Sequence, residues 1–201
     1  MACLTQIHRC QAFAIPYDTL DIQLRRAHDR DAARIFDKTV TRRRGGWCYE
    51  LHALLHWALL EAGFSARVVT AGIHREQFGD AKMGNHTAIL VDLDEGAYLA
   101  DLGLGDGIRD PIPVREGVYR QGRLTFSLEL VDDGYWRFRN HAFAYPTNFD
   151  FRDESLDESL DEALVARGRR RSCPAMTRST STTSSGRACV RSRTVNPRDP
   201  S

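Results

Sequence analysis

The chain has no apolar run near the roughly 18 residues that a membrane-spanning helix needs. Its first twenty residues lack the continuous apolar core of a signal peptide. The five cysteines are scattered and form no CxxC pair, which argues against a disulfide framework and against a cysteine zinc site. These absences predict a cytoplasmic protein with free thiols, no membrane association and no bound metal.

Aromatic residues are missing from residues 167–201, where nine Arg and twelve Ser or Thr accompany a single acidic residue. This stretch carries a net charge of about +8, whereas residues 1–166 carry about −7. Such a composition cannot bury enough apolar surface to offset its ordering entropy, so we predict a disordered, low-complexity tail over 155–201. It can be interpreted as a solvated tail, as an arginine-rich arm for nucleic acid, or as sequence translated out of frame. We favour the solvated tail and predict no nucleic-acid partner.

The remaining sequence changes its hydrophobic period once. Residues 1–64 predict a helical domain, and the clearest helix follows Cys48, with Leu and Ala at helical spacing up to a stop at Gly63. From Ser65 onward, short β-branched and aromatic segments predict strands at 66–74, 86–94, 97–103, 124–131 and 135–143. Helices first and antiparallel strands second predict an α+β fold, with a β domain over 65–154.

A cysteine stands one residue after a double glycine in RGGWCYE, residues 44–50. A thiol attacks as its thiolate, which a helix N-terminus or a neighbouring imidazolium favours. Gly45 and Gly46 would permit a sharp entry into the helix, placing Cys48 where the helix dipole favours an anion. Cys48 is therefore either a nucleophile or a buried structural thiol.

A nucleophilic thiol needs a base, and the histidines offer two candidates. His86 stands at the head of a predicted strand, after a flexible-looking loop at 76–84. His52 is the rival, because it lies one helical turn after Cys48 and its side chain would lean back toward the thiol. Two other histidines are interpreted as surface or core-edge residues, namely His56 and His74.

Asp101 is a carboxylate at the end of an otherwise apolar strand. If buried, it must be paired. It either orients a catalytic imidazole or caps the glycine-rich turn Gly103–Gly105.

Four ordered motifs resemble the arylamine N-acetyltransferases. RGGWCYE resembles the family's RGG-x-C signature, and IPYDTLD, residues 15–21, resembles its IPFENLD segment. NHTAILV, residues 85–91, resembles the family's catalytic-histidine strand, and ADLGLG, residues 100–105, its catalytic-aspartate turn. The separations between the cysteine, histidine and aspartate, 38 and 15 residues, are also similar, and the likeness spans most of residues 4–153.

The resemblance implies a cysteine-proteinase-like core, in which a helical bundle precedes an antiparallel β-barrel. It implies that Cys48 takes an acetyl group from acetyl-CoA as a thioester, with His86 holding the proton and Asp101 orienting His86. The acceptor would be the nitrogen of an arylamine or arylhydrazine, in xenobiotic metabolism. Arg44 would hold the helix start in place. Contacts to the acetyl-CoA donor are expected from Thr87, Gly103, Leu104 and Gly105.

The sequence also departs from the family. His52 stands where members usually carry Asn, and Leu104 replaces a usual Phe, which would reshape the acceptor pocket. The likeness ends where members continue into a third, α/β domain, so the resemblance implies a truncated member. A barrel face left exposed would allow self-association. Three alternatives stay open: a related acyltransferase such as an amide synthase, a hydrolase of papain or transglutaminase type, and a catalytically inactive family member.

Overall fold

The structure, a computed structural model, describes residues 1–26 and 31–155. The first part of the chain is helical and the second is a β-sheet, as predicted. The helices are α1 (Ala2–Ala14), α2 (Leu20–Gln23), α3 (Ala32–Phe36), a π-helical turn (Asp37–Thr41) and α4 (Cys48–Glu61). Gly63, with φ of 86°, follows the end of α4. The predicted tail lies outside the described residues, apart from Ser155.

Eight strands form a single antiparallel sheet in the order β4-β3-β2-β1-β8-β7-β6-β5. The sheet curls into a nearly closed barrel, which confirms the predicted fold class. The strands are β1 (Ser65–Ile73), β2 (His86–Leu93), β3 (Gly96–Ala100), β4 (Ile112–Pro113), β5 (Gly117–Gln121), β6 (Leu124–Leu130), β7 (Trp136–Arg139) and β8 (Asn148–Ser155).

Three of these strands were not predicted: β4, β5 and β8. The omission of β8 matters most, because β8 pairs with β1 on one side and β7 on the other and so joins the two halves of the sheet. The predicted strand at 135–143 is also shorter than expected, since β7 ends at Arg139. The segment 76–84 is not a plain loop, because it contains most of α5 (Arg75–Phe78) and a 3-10 turn (Asp80–Lys82).

Strand β2 is buried on both faces, and its side chains alternate between two cores. Ala88 and Leu90 face the barrel interior, with an aromatic cluster from β6, β7 and β8. Ile89 and Val91 face the helices, where they pack with leucines of α1 and α4. Because strand side chains alternate with a period of two, His86 belongs to the barrel side and Thr87 to the helix side. The start of β2 therefore presents neighbouring residues to two different layers.

No helix within 1–26 or 31–155 is long and apolar enough to cross a membrane.

Candidate active site

Cys48 is the first residue of α4, and its side chain is buried. The dipole of this 14-residue helix favours a negative charge at that end. Cys3 and Cys10 are also free thiols, but both are exposed on α1. Within the described part of the chain, Cys48 is therefore the one cysteine placed inside the protein.

A network of charges holds the chain before Cys48. Lys38 donates to both carboxylate oxygens of Glu50, at 2.9 and 2.8 Å, and lies 2.9 Å from Asp21. Arg44 donates to the same Asp21 at 2.9 Å. Hydrogen bonding from Lys38, with that from Arg44, lowers the pKa of the Asp21 carboxyl. The backbone N–H of Trp47 donates to Glu50 at 3.3 Å, which closes the first turn of α4. The structure thus places Arg44 in the support of the helix start.

The double glycine before Cys48 allows close packing. Neither Gly45 nor Gly46 has a positive φ. A methyl group on Gly45 would collide with Cβ of Asp18 and would lie 2.7 Å from the carbonyl oxygen of Pro16. Gly46 donates to Pro16 at 3.2 Å and accepts from Asp18 at 2.8 Å. The two glycines therefore admit the segment 16–18 against the helix start, a contact that the sequence did not predict, whereas the sharp entry into the helix stays a prediction.

His86 and Asp101 form a buried hydrogen bond, with Nε2 of His86 2.7 Å from Oδ2 of Asp101. Both side chains are almost fully buried, at 0% and 2% exposure. Burial disfavours the imidazolium, but the Asp101 charge outweighs it and, together with Cys48, raises the pKa of His86 to about 10. Despite burial, the neighbouring charge of His86 lowers the pKa of Asp101. At neutral pH this arrangement favours a protonated His86 beside an ionised Asp101.

The Cys48 side chain and the His86 ring both lie close to Gly103. A methyl group at that glycine would lie 2.6 Å from Cβ of Cys48, 2.7 Å from Cε1 of His52 and 2.8 Å from Cε1 of His86. Two side chains of α4 and one of β2 therefore surround one glycine. Nδ1 of His86 is buried and makes no hydrogen bond within the described residues. The Cys48 sulfur is an interacting group that raises the pKa of this ring.

The rival base, His52, has other partners. Its Nδ1 lies 2.9 Å from Oγ1 of Thr87, and its Nε2 accepts from the backbone N–H of Leu102 at 3.1 Å. Burial lowers the pKa of His52, against the opposing effect of the Asp101 charge. Both ring nitrogens are thus occupied away from the thiol. His56 and His74 are half-buried, in accord with their predicted places.

Asp101 makes both contacts that the sequence left open. One oxygen pairs with His86, while Oδ1 accepts from the backbone N–H of Gly103 at 2.7 Å and caps the turn. Since Asp101 directly follows β3, the end of that strand fixes its position.

The four residues expected to contact acetyl-CoA are placed differently from one another. The Thr87 hydroxyl is buried and bonded to His52, and the side chain of Leu104 packs in the barrel core. Gly103 lies against the cysteine and the two histidines, while Gly105, with φ of +83°, lines a cleft. Contact with the donor stays a prediction for all four residues.

That cleft, of about 660 Å³, opens beside Asp101. Its walls come from α1, from the segment that precedes α2, from the loop after β3 and from Leu124 and His141. Sequence reasoning missed Tyr17 in this wall, although the residue sits inside the IPYDTLD motif. Burial raises the pKa of the Tyr17 hydroxyl, and the charges of Cys48 and Asp101 raise it further. The cleft has the size and the mixed lining of a small-molecule site.

In 1–26 and 31–155, no three or more His, Cys, Asp and Glu side chains are grouped so that they could hold a metal ion.

Known proteins resemble this chain in sequence. A sequence model of the family described as N-acetyltransferase matches residues 1–144. Arylamine N-acetyltransferase 1 of Bos taurus is 31% identical over 161 residues, which cover 77% of this chain and 55% of that protein. The chain belongs to the arylamine N-acetyltransferase family. The resemblance inferred from the four motifs is thereby confirmed.

Solved arylamine N-acetyltransferases share the fold. The structure of the enzyme from M. tuberculosis superposes with a TM-score of 0.72 at 25% identity and covers 87% of this chain and 66% of that one. The enzyme of Mycobacterium marinum, solved in complex with CoA, gives a TM-score of 0.71 at 23% identity, covering 82% and 62%. The present arylamine N-acetyltransferase family member spans about half the length of the curated relative from Bos taurus.

Proposed function

We propose that this chain transfers an acetyl group from acetyl-CoA to the nitrogen of an arylamine or arylhydrazine through Cys48, His86 and Asp101. The observation that carries the proposal is the buried 2.7 Å contact between His86 and Asp101, directly beside a thiol at a helix start. A thiol, an imidazole and an orienting carboxylate make up the arrangement that activates a cysteine nucleophile.

The proton of the thiol has a defined destination. The Asp101 carboxylate favours the charged form of His86, so the proton that leaves Cys48 resides on the His86 ring. Nε2 points to Asp101, which leaves Nδ1 for the sulfur. The resulting thiolate lies at the positive end of the α4 dipole. Charge separation inside the protein is therefore stabilised on both sides.

In the first half-reaction, the Cys48 sulfur attacks the carbonyl carbon of the donor thioester. The bond between that carbon and the CoA sulfur breaks, and the departing thiolate takes the proton from His86. In the second half-reaction, the amine nitrogen attacks the acetyl carbon, its proton passes to His86, and Cys48 leaves as the thiolate. N–H groups in the first turn of α4 would stabilise the oxyanion, an effect of roughly 2.7–4 kcal/mol per donor.

The donor and acceptor would enter through the cleft beside Asp101. The absence of a side chain at Gly105 lets the backbone line this cleft. The relative from Mycobacterium marinum was solved with CoA bound, which supports CoA as the carrier of the acetyl group. Self-association through an exposed barrel face and a cytoplasmic location remain predictions from the sequence.

Intact-protein mass spectrometry with acetyl-CoA tests the proposal. We expect a gain of roughly 42 Da, one acetyl group in place of a hydrogen, mapped by peptide analysis to Cys48. His86→Gln should abolish the gain, whereas exchange of His52 should not. Subsequent addition of an arylamine should remove the label and yield the acetylated amine. A parent chain that folds but never acquires the acetyl group would contradict the proposal and favour an inactive family member.

A further inference from the structure

His52, one turn along α4 from the thiol, contacts both elements that carry the other two residues of the site. Its Nδ1 lies 2.9 Å from the hydroxyl oxygen of Thr87, which follows His86 on β2. Its Nε2 lies 3.1 Å from the backbone nitrogen of Leu102, which follows Asp101 after β3. The ring is 1% exposed, so water does not compete for these contacts. His52 therefore links the start of β2 and the turn after β3 to helix α4.

The partners of His52 fix the position of its proton. The backbone N–H of Leu102 can only donate, so Nε2 must present its lone pair. The single ring proton is then on Nδ1, where it donates to the hydroxyl of Thr87. A second proton on Nε2 would oppose the Leu102 N–H and break that hydrogen bond. His52 is therefore a neutral imidazole, next to a charged one at His86.

Because the His52 ring is neutral, His86 is the one of these two rings that donates to the Asp101 carboxylate. Oδ1 of Asp101 lies 3.3 Å from Nε2 of His52, but that nitrogen has no proton to offer. Oδ1 instead accepts from Gly103, while Oδ2 faces His86 at 2.7 Å. The turn after β3 is consequently held at two successive N–H groups, one by His52 and one by Asp101 itself.

The other groups near His52 do not replace it. His8 of α1 is a third fully buried imidazole in this region, and its Nδ1 bonds the carbonyl of Arg109 at 2.9 Å. The charged groups that act on the His52 ring are Asp101 and His86.

We infer that His52 is a positioning residue, a neutral acceptor for the Leu102 N–H that aligns the Asp101 carboxylate with His86 and so directs the His86 imidazole to Cys48. This inference rests on the proposed function, because it assigns His52 a part in preparing the same thiol. It assigns no contact between His52 and either substrate.

Two measurements that need no acetyl-CoA test the inference. One is the titration of the His86 imidazole by NMR, and the other is the pH profile of alkylation at Cys48 by iodoacetamide, resolved by peptide mass spectrometry. The exposed thiols Cys3 and Cys10 provide internal reference rates in every sample. Circular dichroism confirms that each variant is folded.

His52→Leu removes both contacts, and we expect a lowered titration midpoint for His86 and alkylation of Cys48 at neutral pH that is roughly tenfold slower. His52→Gln keeps an acceptor and should recover most of that loss. His56→Leu is the matched control on the same helix, since the His56 ring bonds the carbonyl of Ala66 at 3.0 Å, away from the site. It should match the parent in both measurements.

Parental behaviour of His52→Leu in both measurements would overturn the inference, as would a His52→Gln variant no better than His52→Leu. Should His52→Leu fail to fold, Thr87→Val decides, because it removes the hydroxyl partner while keeping the side-chain shape. It is expected to shift the His86 midpoint in the same direction, and an unchanged midpoint would refute the positioning role. Failure of acetylation in the parent chain would contradict the proposed function alone.

Discussion

Gly103→Ala adds one methyl group at the point where the candidate active site is most crowded. The methyl carbon would lie 2.6 Å from Cβ of Cys48, 2.7 Å from Cε1 of His52 and 2.8 Å from Cε1 of His86. Ordinary van der Waals contacts of this kind begin near 3.4 Å, so the neighbouring atoms must recede by 0.6–0.8 Å to reach that distance. Gly103 has no positive φ, and the backbone itself would accept alanine without strain. The whole effect therefore comes from packing.

Overfilling a packed interior costs about 1–3 kcal/mol in the free energy of unfolding. Rigid neighbours raise the cost at this position, because the methyl group faces two buried rings and not a flexible chain end. The acetylation rate at Cys48 should fall more steeply than the stability, because a displacement of about 1 Å among reacting groups costs on the order of 100-fold in rate. We expect Gly103→Ala to lose most acetylation at Cys48 while remaining folded.

Thermal denaturation gives the stability, and timed peptide mass spectrometry gives the acetylation rate at Cys48. Gly107→Ala is the matched control for stability: it lies in the same loop without a positive φ, and its added methyl would first meet the side chain of Leu104, at 3.3 Å. A Gly103→Ala variant with the parent's stability and rate would show that the three side chains do not converge on this glycine as the structure has them.

Three further outcomes follow from the charges. The pKa of His86 lies above its unfolded value of 6.5, so the stability that its protonation contributes is present below about pH 6.5 and is lost toward about pH 10. His86→Gln should therefore flatten the pH dependence of the free energy of unfolding in that window, as measured by urea titrations. Asp150→Ala removes the fully buried carboxylate that Arg75 and Arg137 share, although Arg75 keeps Asp80 and Asp133 and Arg137 keeps Glu76. Urea denaturation should therefore show a loss smaller than the roughly 3–5 kcal/mol of a buried charge left with no partner, and an unchanged midpoint would contradict this. Lys38→Met strips Glu50 of its cation and should lower both the melting temperature and alkylation at Cys48, whereas a loss of neither would refute the support assigned to Lys38.

Local patterns predicted the helix start well and its surroundings poorly. The leucine spacing after Cys48 and the stop at Gly63 are properties of one helix, so the sequence carries them directly. The reason for Gly45 and Gly46 depends on a segment about 30 residues earlier that packs against them. A rule that uses only residues close in sequence cannot predict that contact.

The two histidines show the same division. Helical spacing correctly placed His52 on the face of α4 that Cys48 occupies, but its partners lie 35 and 50 residues away in sequence. The meeting of His86 with Asp101 was inferred from the likeness to a family and not from periodicity. Spacing predicts which face a side chain takes, and only the tertiary fold decides what it meets there.

Strand β8 was missed for a physical reason. Polar and apolar side chains alternate from Asn148 to Phe151, but all four are buried, and the polar residues 152–155 that follow give no further apolar position to mark a strand. Asp150 is tolerated inside because Arg75 and Arg137 both pair with it. A carboxylate in a buried strand becomes intelligible only with its distant arginines in view.

The alternation along β2 gives the hairpin between β2 and β3 an importance beyond joining two strands. That hairpin turns at Gly96, whose φ of 122° suits glycine, and it sets Leu93 opposite Gly96 in the ladder. A register shift of one residue would turn every side chain of β2 to the opposite face. The Thr87 hydroxyl would then point into the barrel and the His86 imidazole toward the helices. The position of the His86 imidazole therefore depends on a turn that begins after Leu93, seven residues along β2 from this histidine.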